Sequence, residues 1–313
     1  MCEETQYMAD LSLRLHKDVL VVDGDLALSL ESMGLDSTQC IEFYNLTDEE
    51  SVQTAHKFFK QAGADCLCTN TLQANKKHLE AFDLASSVAA INKAGVKLAK
   101  SLRPQHVLAC VGPLGILDYP SLDISLLGPA LQKDIETKKA EVIDIYREQL
   151  AALISQSPDG IFFKTFTSLE EAKCAVSLAK TLTDIPILLS FSFTDELRLP
   201  LSDEPLSEVL ESFADIGADV YGFNCMSHEL TVQCITLAQE KTDAPLLAMP
   251  SAGIPQIKSL GEKKYPCSSN DFARFAQEYY DLGVQFIGGC CGTQAAHIAA
   301  IFAQVHKKDV KVK

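Results

Sequence analysis

Three cysteines are spaced for chemistry. Cys225 ends the phrase Tyr221-Gly-Phe-Asn-Cys225, and Cys290 and Cys291 stand together in Gly288-Gly-Cys-Cys-Gly-Thr293, each just past a short apolar run. Three thiolates leave one position of a tetrahedral zinc ion open, which is the pattern of a catalytic site, because structural sites close all four positions with protein ligands. Soft sulfur donors suit Zn²⁺ and exclude Mg²⁺ or Ca²⁺ as the preferred ion. Glycines on both sides of the vicinal pair let the backbone turn sharply enough for both side chains to face one ion. Two blander readings of the pair stay open on spacing alone: small residues filling a tight turn, or a vicinal disulfide. The chain has eleven cysteines. Cys66 and Cys68 alternate along an apolar run and Cys174 and Cys234 fall in helical patterns, so these four read as small core residues. The seven histidines are scattered, and His228 is the one nearest a cysteine motif.

The elements that must position these thiols form one repeated unit: an apolar run, a turn, then an amphipathic stretch. The runs are Val19–Val22, Asp65–Cys68, Val107–Val111, Gly160–Phe163, Ile187–Phe191, Val220–Phe223, Pro245–Met249 and Val284–Ile287. Continuous apolar runs of this length read as parallel strands buried on both faces. Between them, Asp48–Gln61 opens with a capping residue and first-turn acids, Lys138–Ile154 carries apolar residues at helical spacing, and Asn270–Leu282 starts on Asn-Asp. Gly63, Gly217 and Gly283 each close a helix ahead of a strand. Eight strands alternating with helices predict a single (β/α)₈ barrel, a TIM barrel, over residues 1–313. The runner-up, a doubly wound sheet, lacks a Gly-x-Gly-x-x-Gly fingerprint after any strand. In such barrels the chemistry sits where strands end, and strands six and eight are close enough around the ring for their loops to converge.

The net charge of −15 argues against nucleic acid and anionic membranes as partners. Residues 1–17 are polar, without an apolar core of signal-peptide length, and no apolar run is long enough to span a bilayer. A soluble, cytoplasmic protein with reduced thiols is the expectation.

Taken in order, the motifs resemble the homocysteine S-methyltransferase family over essentially the whole chain. Val22-Asp23-Gly24 resembles its opening Asp-Gly-Gly segment, and Gly63-Ala-Asp-Cys-Leu-Cys-Thr69-Asn70-Thr71 with Ala74-Asn75 its second strand and following loop. Val111-Gly112-Pro113 resembles its Gly-Pro loop, while Asn224-Cys225, Pro250-Ser-Ala-Gly253-Ile-Pro255 and Gly288-Gly-Cys-Cys-Gly-Thr293 resemble its three metal-region motifs. The resemblance implies the barrel fold, Zn²⁺ on Cys225, Cys290 and Cys291, and methyl transfer to a zinc-bound thiolate, with homocysteine giving methionine. It also implies Asp23 near the substrate amino group, Gly24 allowing close backbone approach, and Thr69 facing the pocket.

The chain departs from the family pattern in two places. Where the family carries a glutamate that receives the homocysteine ammonium, Gly160-Ile-Phe-Phe-Lys164-Thr165-Phe166 places Lys164. A lysine there repels an ammonium and favours a carboxylate or sulfonate, so a thiol without the α-amino group, or one bound the other way round, is the alternative acceptor. Ser251 stands in place of an asparagine, leaving water or a weak hydroxyl as the resting fourth ligand. The expected partners are a small-molecule thiol and a methyl donor. No Asp-x-His-x-x-Gly cobalamin motif is present, so a corrinoid would be supplied by a separate protein, or the chain is a piece cut from a larger one. A zinc-binding barrel that serves as a regulatory subunit without methyl transfer is the third reading.

Overall fold

The computed structural model describes residues 10–36, 38–120, 126–257 and 263–309. All eight apolar runs are strands: β1 (Leu20–Val21), β2 (Cys66–Cys68), β3 (His106–Val111), β4 (Gly160–Phe166), β5 (Ile187–Phe191), β6 (Val220–Asn224), β7 (Leu246–Met249) and β8 (Phe286–Ile287). Each pairs in parallel with its neighbours, from β2 through β7 to β8 and on to β1. A parallel bridge between Val22 and Cys66 closes the ring between β1 and β2. The molecule is a (β/α)₈ barrel.

Period-two alternation divides each strand between two cores. Leu20, Val22, Cys66, Cys68, Leu108, Cys110, Phe162, Leu188, Val220, Leu247, Met249 and Phe286 fill the barrel interior, with Leu11 packed into the same cluster. Their strand neighbours, such as Val21, Leu67, Ala109, Phe163, Leu189, Phe223, Ala248 and Ile287, pack against the surrounding helices. Cys66 and Cys68 are therefore interior fillers, and Cys174 and Cys234 belong to the outer layer.

The helices begin where capping chemistry puts them, and two begin earlier than the sequence pattern suggests. Asp48 caps Glu49–Gln61 as expected, accepting from the Ser51 N–H. The helix expected from Lys138 starts at Pro129, because proline fits the first turn, where its missing N–H has no partner to lose. The helix expected to start on Asn270-Asp271 runs over Ser269–Asp281, since Ser268 and Asp271 cap each other reciprocally. Gly63, Gly217 and Gly283 all have positive φ, as helix-ending positions require. The expectation for the first seventeen residues falls largely on residues 1–9, outside the described residues. No described helix is long and apolar enough to cross a membrane.

Strand β4 runs three residues beyond its expected end and does so irregularly. Its register against β5 shifts between Phe163 and Phe166, and Thr165 sits at φ +67°. A left-handed conformation is costly for a β-branched residue. The bulge lies at the carboxyl end of the barrel, where such features re-aim side chains.

Candidate active site

Alternation along the strands decides what reaches the carboxyl-end mouth of the barrel. In β4, Phe162 points inward, so Lys164 is the next inward position; in β6, Val220 and Gly222 precede Asn224 on the same parity. The β6 and β8 loops then bring Cys225, Cys290 and Cys291 together, with their three Sγ atoms within 4.8 Å of one another. The Cys225 and Cys291 sulfurs are 3.0 Å apart, and none of the three is in a disulfide. Cys225 itself is held at φ +61°, a second strained residue at the site.

The loops that carry the thiols are tied by their main chains. Cys290 N–H donates to the Pro250 carbonyl (2.9 Å), Ala252 N–H to the Cys291 carbonyl (2.8 Å) and Cys225 N–H to the Met249 carbonyl (3.1 Å). Gly292 N–H donates to Asp25 Oδ2 (2.9 Å), and the Thr293 hydroxyl to the Cys290 carbonyl (2.6 Å). Buried Asn224 works between elements: it accepts from Ser190 Oγ (2.8 Å) and donates Nδ2 to Thr165 Oγ1 (2.6 Å) and to Cys290 Sγ (3.4 Å).

These contacts set the charges. Hydrogen bonds from Cys225 and Cys291, with help from Lys164 and Asn224, pull the Cys290 thiol well below the ordinary range, making it the anion of the set. Cys225 and Cys291 are pushed up as the donors to it, Cys225 to about 12. Burial opposes the charge of Lys164, yet Cys290, Cys68, Cys110 and Asp23 hold its ammonium above the usual lysine range. Its Nζ lies 5.9 Å from the Phe162 ring centroid and forms no salt bridge among the described residues.

A cavity of about 630 Å³ joins the expected positions: Cys225, Cys290, Cys291, Lys164, Thr69 and Gly24 all line it. Thr69 faces it, but its hydroxyl is engaged, 2.6 Å from Thr71 Oγ1 and accepting from the Cys110 N–H. Gly24 owes its size to packing, since a Cβ there would come within 2.8 Å of Thr293 Oγ1. Asp23 is fully buried in the β1–β2 seam, where Oδ2 accepts from the Cys68 N–H at 2.7 Å and Oδ1 has no partner. Burial raises its carboxyl to about 6, against the opposing pull of Lys164 and the Cys68 N–H. The Ser251 hydroxyl donates to the Met226 carbonyl (3.2 Å). His228 is turned away, bonded to Tyr279 and Glu278 and stacked on Phe275. Asn224 entered the sequence reading only as part of the Asn224-Cys225 motif, with no role of its own, and Asp25 was not singled out, having only the look of a helix cap.

The model of the homocysteine S-methyltransferase family matches residues 20–305. The chain belongs to that family. A methionine synthase of Mycobacterium leprae is 25% identical over 318 residues, covering 96% of this chain and 25% of that protein. The chain thus spans about a quarter of the length of the mycobacterial methionine synthases it matches. Homocysteine S-methyltransferase 2 of Zea mays is 27% identical over 319 residues, covering 93% of this chain and 91% of that protein. The homocysteine methyltransferase MmuM of Escherichia coli, in its metallated form, shares the fold with a TM-score of 0.74 at 21% identity, over 92% of this chain and 97% of that one.

Proposed function

We propose that this chain is a zinc-dependent methyltransferase that methylates a thiol, with homocysteine as the acceptor and Cys225, Cys290 and Cys291 as the metal ligands. The observation that carries the reading is the convergence of three sulfurs on one wall of a cavity large enough for two small substrates. The donor set fits zinc: three soft ligands, one already anionic, leave a fourth position for substrate. When bound, zinc supplies the Lewis acidity that keeps an added thiol deprotonated at neutral pH, where a free thiol is mostly protonated and a poor nucleophile.

The chain's own residues do the rest. Asn224 holds Cys290 in place, and the strained Cys225 backbone aims the second sulfur at the third. Lys164 offers its ammonium to the acceptor's carboxylate, so homocysteine is held with that group, and not its ammonium, toward β4. The transfer breaks the donor–methyl bond and forms the sulfur–methyl bond. It moves no proton, so the site needs no general base in that step. The predominantly apolar wall keeps water from competing for the methyl group. The methyl donor is a small molecule or a corrinoid, carried on another protein or on another part of a longer one.

A second acceptor reading follows from Lys164: a thiol with an anionic group and no α-amino group. Isothermal titration of the zinc-loaded protein tests the carboxylate recognition by Lys164 that both readings share. Homocysteine and 4-mercaptobutyrate are expected to bind, and 3-mercaptopropylamine, which lacks the carboxylate, to bind at least about tenfold more weakly. Lys164→Met should weaken both carboxylate-bearing thiols by about tenfold or more and leave the amine unchanged. Equal binding of all three by both proteins would remove Lys164 from recognition. Methylated homocysteine formed at the wild-type rate by a zinc-free Cys290→Ser variant would sink the zinc reading itself.

A further inference from the structure

A second group of metal-binding side chains meets in the same cavity. Cys40, Glu42 and His78 bring one sulfur, one carboxylate oxygen and one imidazole nitrogen within 4.8 Å of one another. Glu42 and His78 line the cavity that the three active-site cysteines also line. Cys40 and Glu42 are only 4% and 7% exposed, so this is no chance cluster of surface charge.

Each donor is already oriented. Cys40 and Glu42 flank the start of the short 3₁₀ turn Ile41–Phe43, and His78 lies in the helix Lys76–Glu80, whose capping residue Asn75 accepts from the His78 main-chain N–H. Glu42 Oε1 accepts from the Gln73 N–H at 2.8 Å, and the Cys40 thiol points at Oε2 from 3.5 Å. The His78 ring packs against Phe82, with ring centroids 5.3 Å apart. Neither ring nitrogen has a hydrogen-bond partner among the described residues. A purely structural role accounts for Glu42, which is satisfied by Gln73 and Cys40. It does not account for an imidazole turned toward a buried thiol and carboxylate with no hydrogen bond to either.

We propose that Cys40, Glu42 and His78 form a second site for a divalent cation of the zinc class, with its remaining position open to the cavity. Mixed sulfur, nitrogen and oxygen donors are the set zinc accepts. On binding, the Cys40 S–H bond breaks and its proton leaves to solvent, while the sulfur, Glu42 Oε2 and one His78 nitrogen each donate a lone pair, without redox change. Gln73 keeps the other carboxylate oxygen fixed, as outer hydrogen bonds do for ligating carboxylates. Burial, and then Glu42, push the Cys40 thiol up to about 11. This site should therefore fill after the three-cysteine site, with an affinity that falls about tenfold for each pH unit lowered. Its open position suits an oxygen donor such as a substrate carboxylate.

The inference does not depend on methyl transfer, and calorimetric titration of the metal-free full chain with ZnCl₂ tests it. The wild type is expected to bind two equivalents of distinct affinity. His78→Gln, at a partly exposed position, should lose the weaker equivalent and keep the tight one, as should Cys40→Ser. Cys225→Ser should do the reverse. A single equivalent in the wild type overturns the proposal, and so does a second equivalent that survives His78→Gln, which would place it elsewhere on this acidic chain. Retention of the tight equivalent in Cys225→Ser, with the weaker one still lost in His78→Gln, would count against the three-cysteine site and leave this one standing.

Discussion

Asn224 donates its amide to both Thr165 and Cys290, so one side chain couples the β4 bulge to a proposed metal ligand. If Cys290 binds zinc as proposed, replacing Asn224 with alanine removes an outer hydrogen bond from a ligand, a change worth about 10- to 100-fold in metal affinity. The variant also leaves Ser190 without its Asn224 partner. Competition with a chromogenic chelator should therefore show weaker zinc binding by Asn224→Ala, and unchanged affinity would remove Asn224 from the metal's surroundings. The ligands themselves should behave as a unit. Serine at any of 225, 290 or 291 is expected to drop bound zinc toward zero and transfer activity by at least about a hundredfold, measured by metal analysis and by mass detection of methylated homocysteine. The cysteines were legible in sequence because each follows an apolar run directly. Lys164 was legible by resemblance, and the structure sets it two positions beyond inward-facing Phe162.

The loop after β8 has to turn back on itself to present two adjacent thiols, and it does so through Gly292. That residue has φ +84°, and a Cβ there would clash with the Tyr265 ring. Gly292→Ala should cost about 1–3 kcal/mol in stability and release metal more readily, because strain and clash fall on the segment carrying Cys290 and Cys291. Paired thermal melts and zinc determinations check this; a variant with wild-type values for both would show that the loop tolerates another path. The β4 bulge was not legible. Gly160–Phe166 reads as a plain apolar strand, and only the pairing with β5, with Ser190 Oγ accepting from Thr165 N–H at 3.2 Å, reveals the shift. The two helix starts that moved, at Pro129 and Ser269, follow local capping rules that the periodicity of the helix bodies masked.

At the scale of the whole barrel, His56 marks a cost in the packing between helices and strands. It is fully buried in the helix Glu49–Gln61, neither ring nitrogen has a partner among the described residues, and burial lowers its pKa to about 4. An unfolded histidine takes up a proton near pH 6.5. Its contribution to stability is thus fully present above that pH and is lost as pH falls through the folded value of about 4. Urea denaturation at pH 7.5 and 5.0 should show wild type losing about 2 kcal/mol more than His56→Leu between the two. Equal losses in the two proteins would mean that His56 does not resist protonation.

The sequence by itself determined the ring of eight strands and singled out three thiols at strand ends. All of these are written in local patterns: an apolar run, a period of two or of 3.6, a cysteine at a strand end. Only the tertiary structure decided how those residues meet. Asn224, Thr165 and Cys290 lie far apart in the chain and touch because the barrel closes. Asp23 turns into the β1–β2 seam because the Cys68 N–H is there to bind it. Cys40, Glu42 and His78 share no run or repeat, and they come together only where the turn Ile41–Phe43 packs beside the helix Lys76–Glu80. Contacts between distant segments carry no periodic signature, so the fold had to be in hand before they could be read.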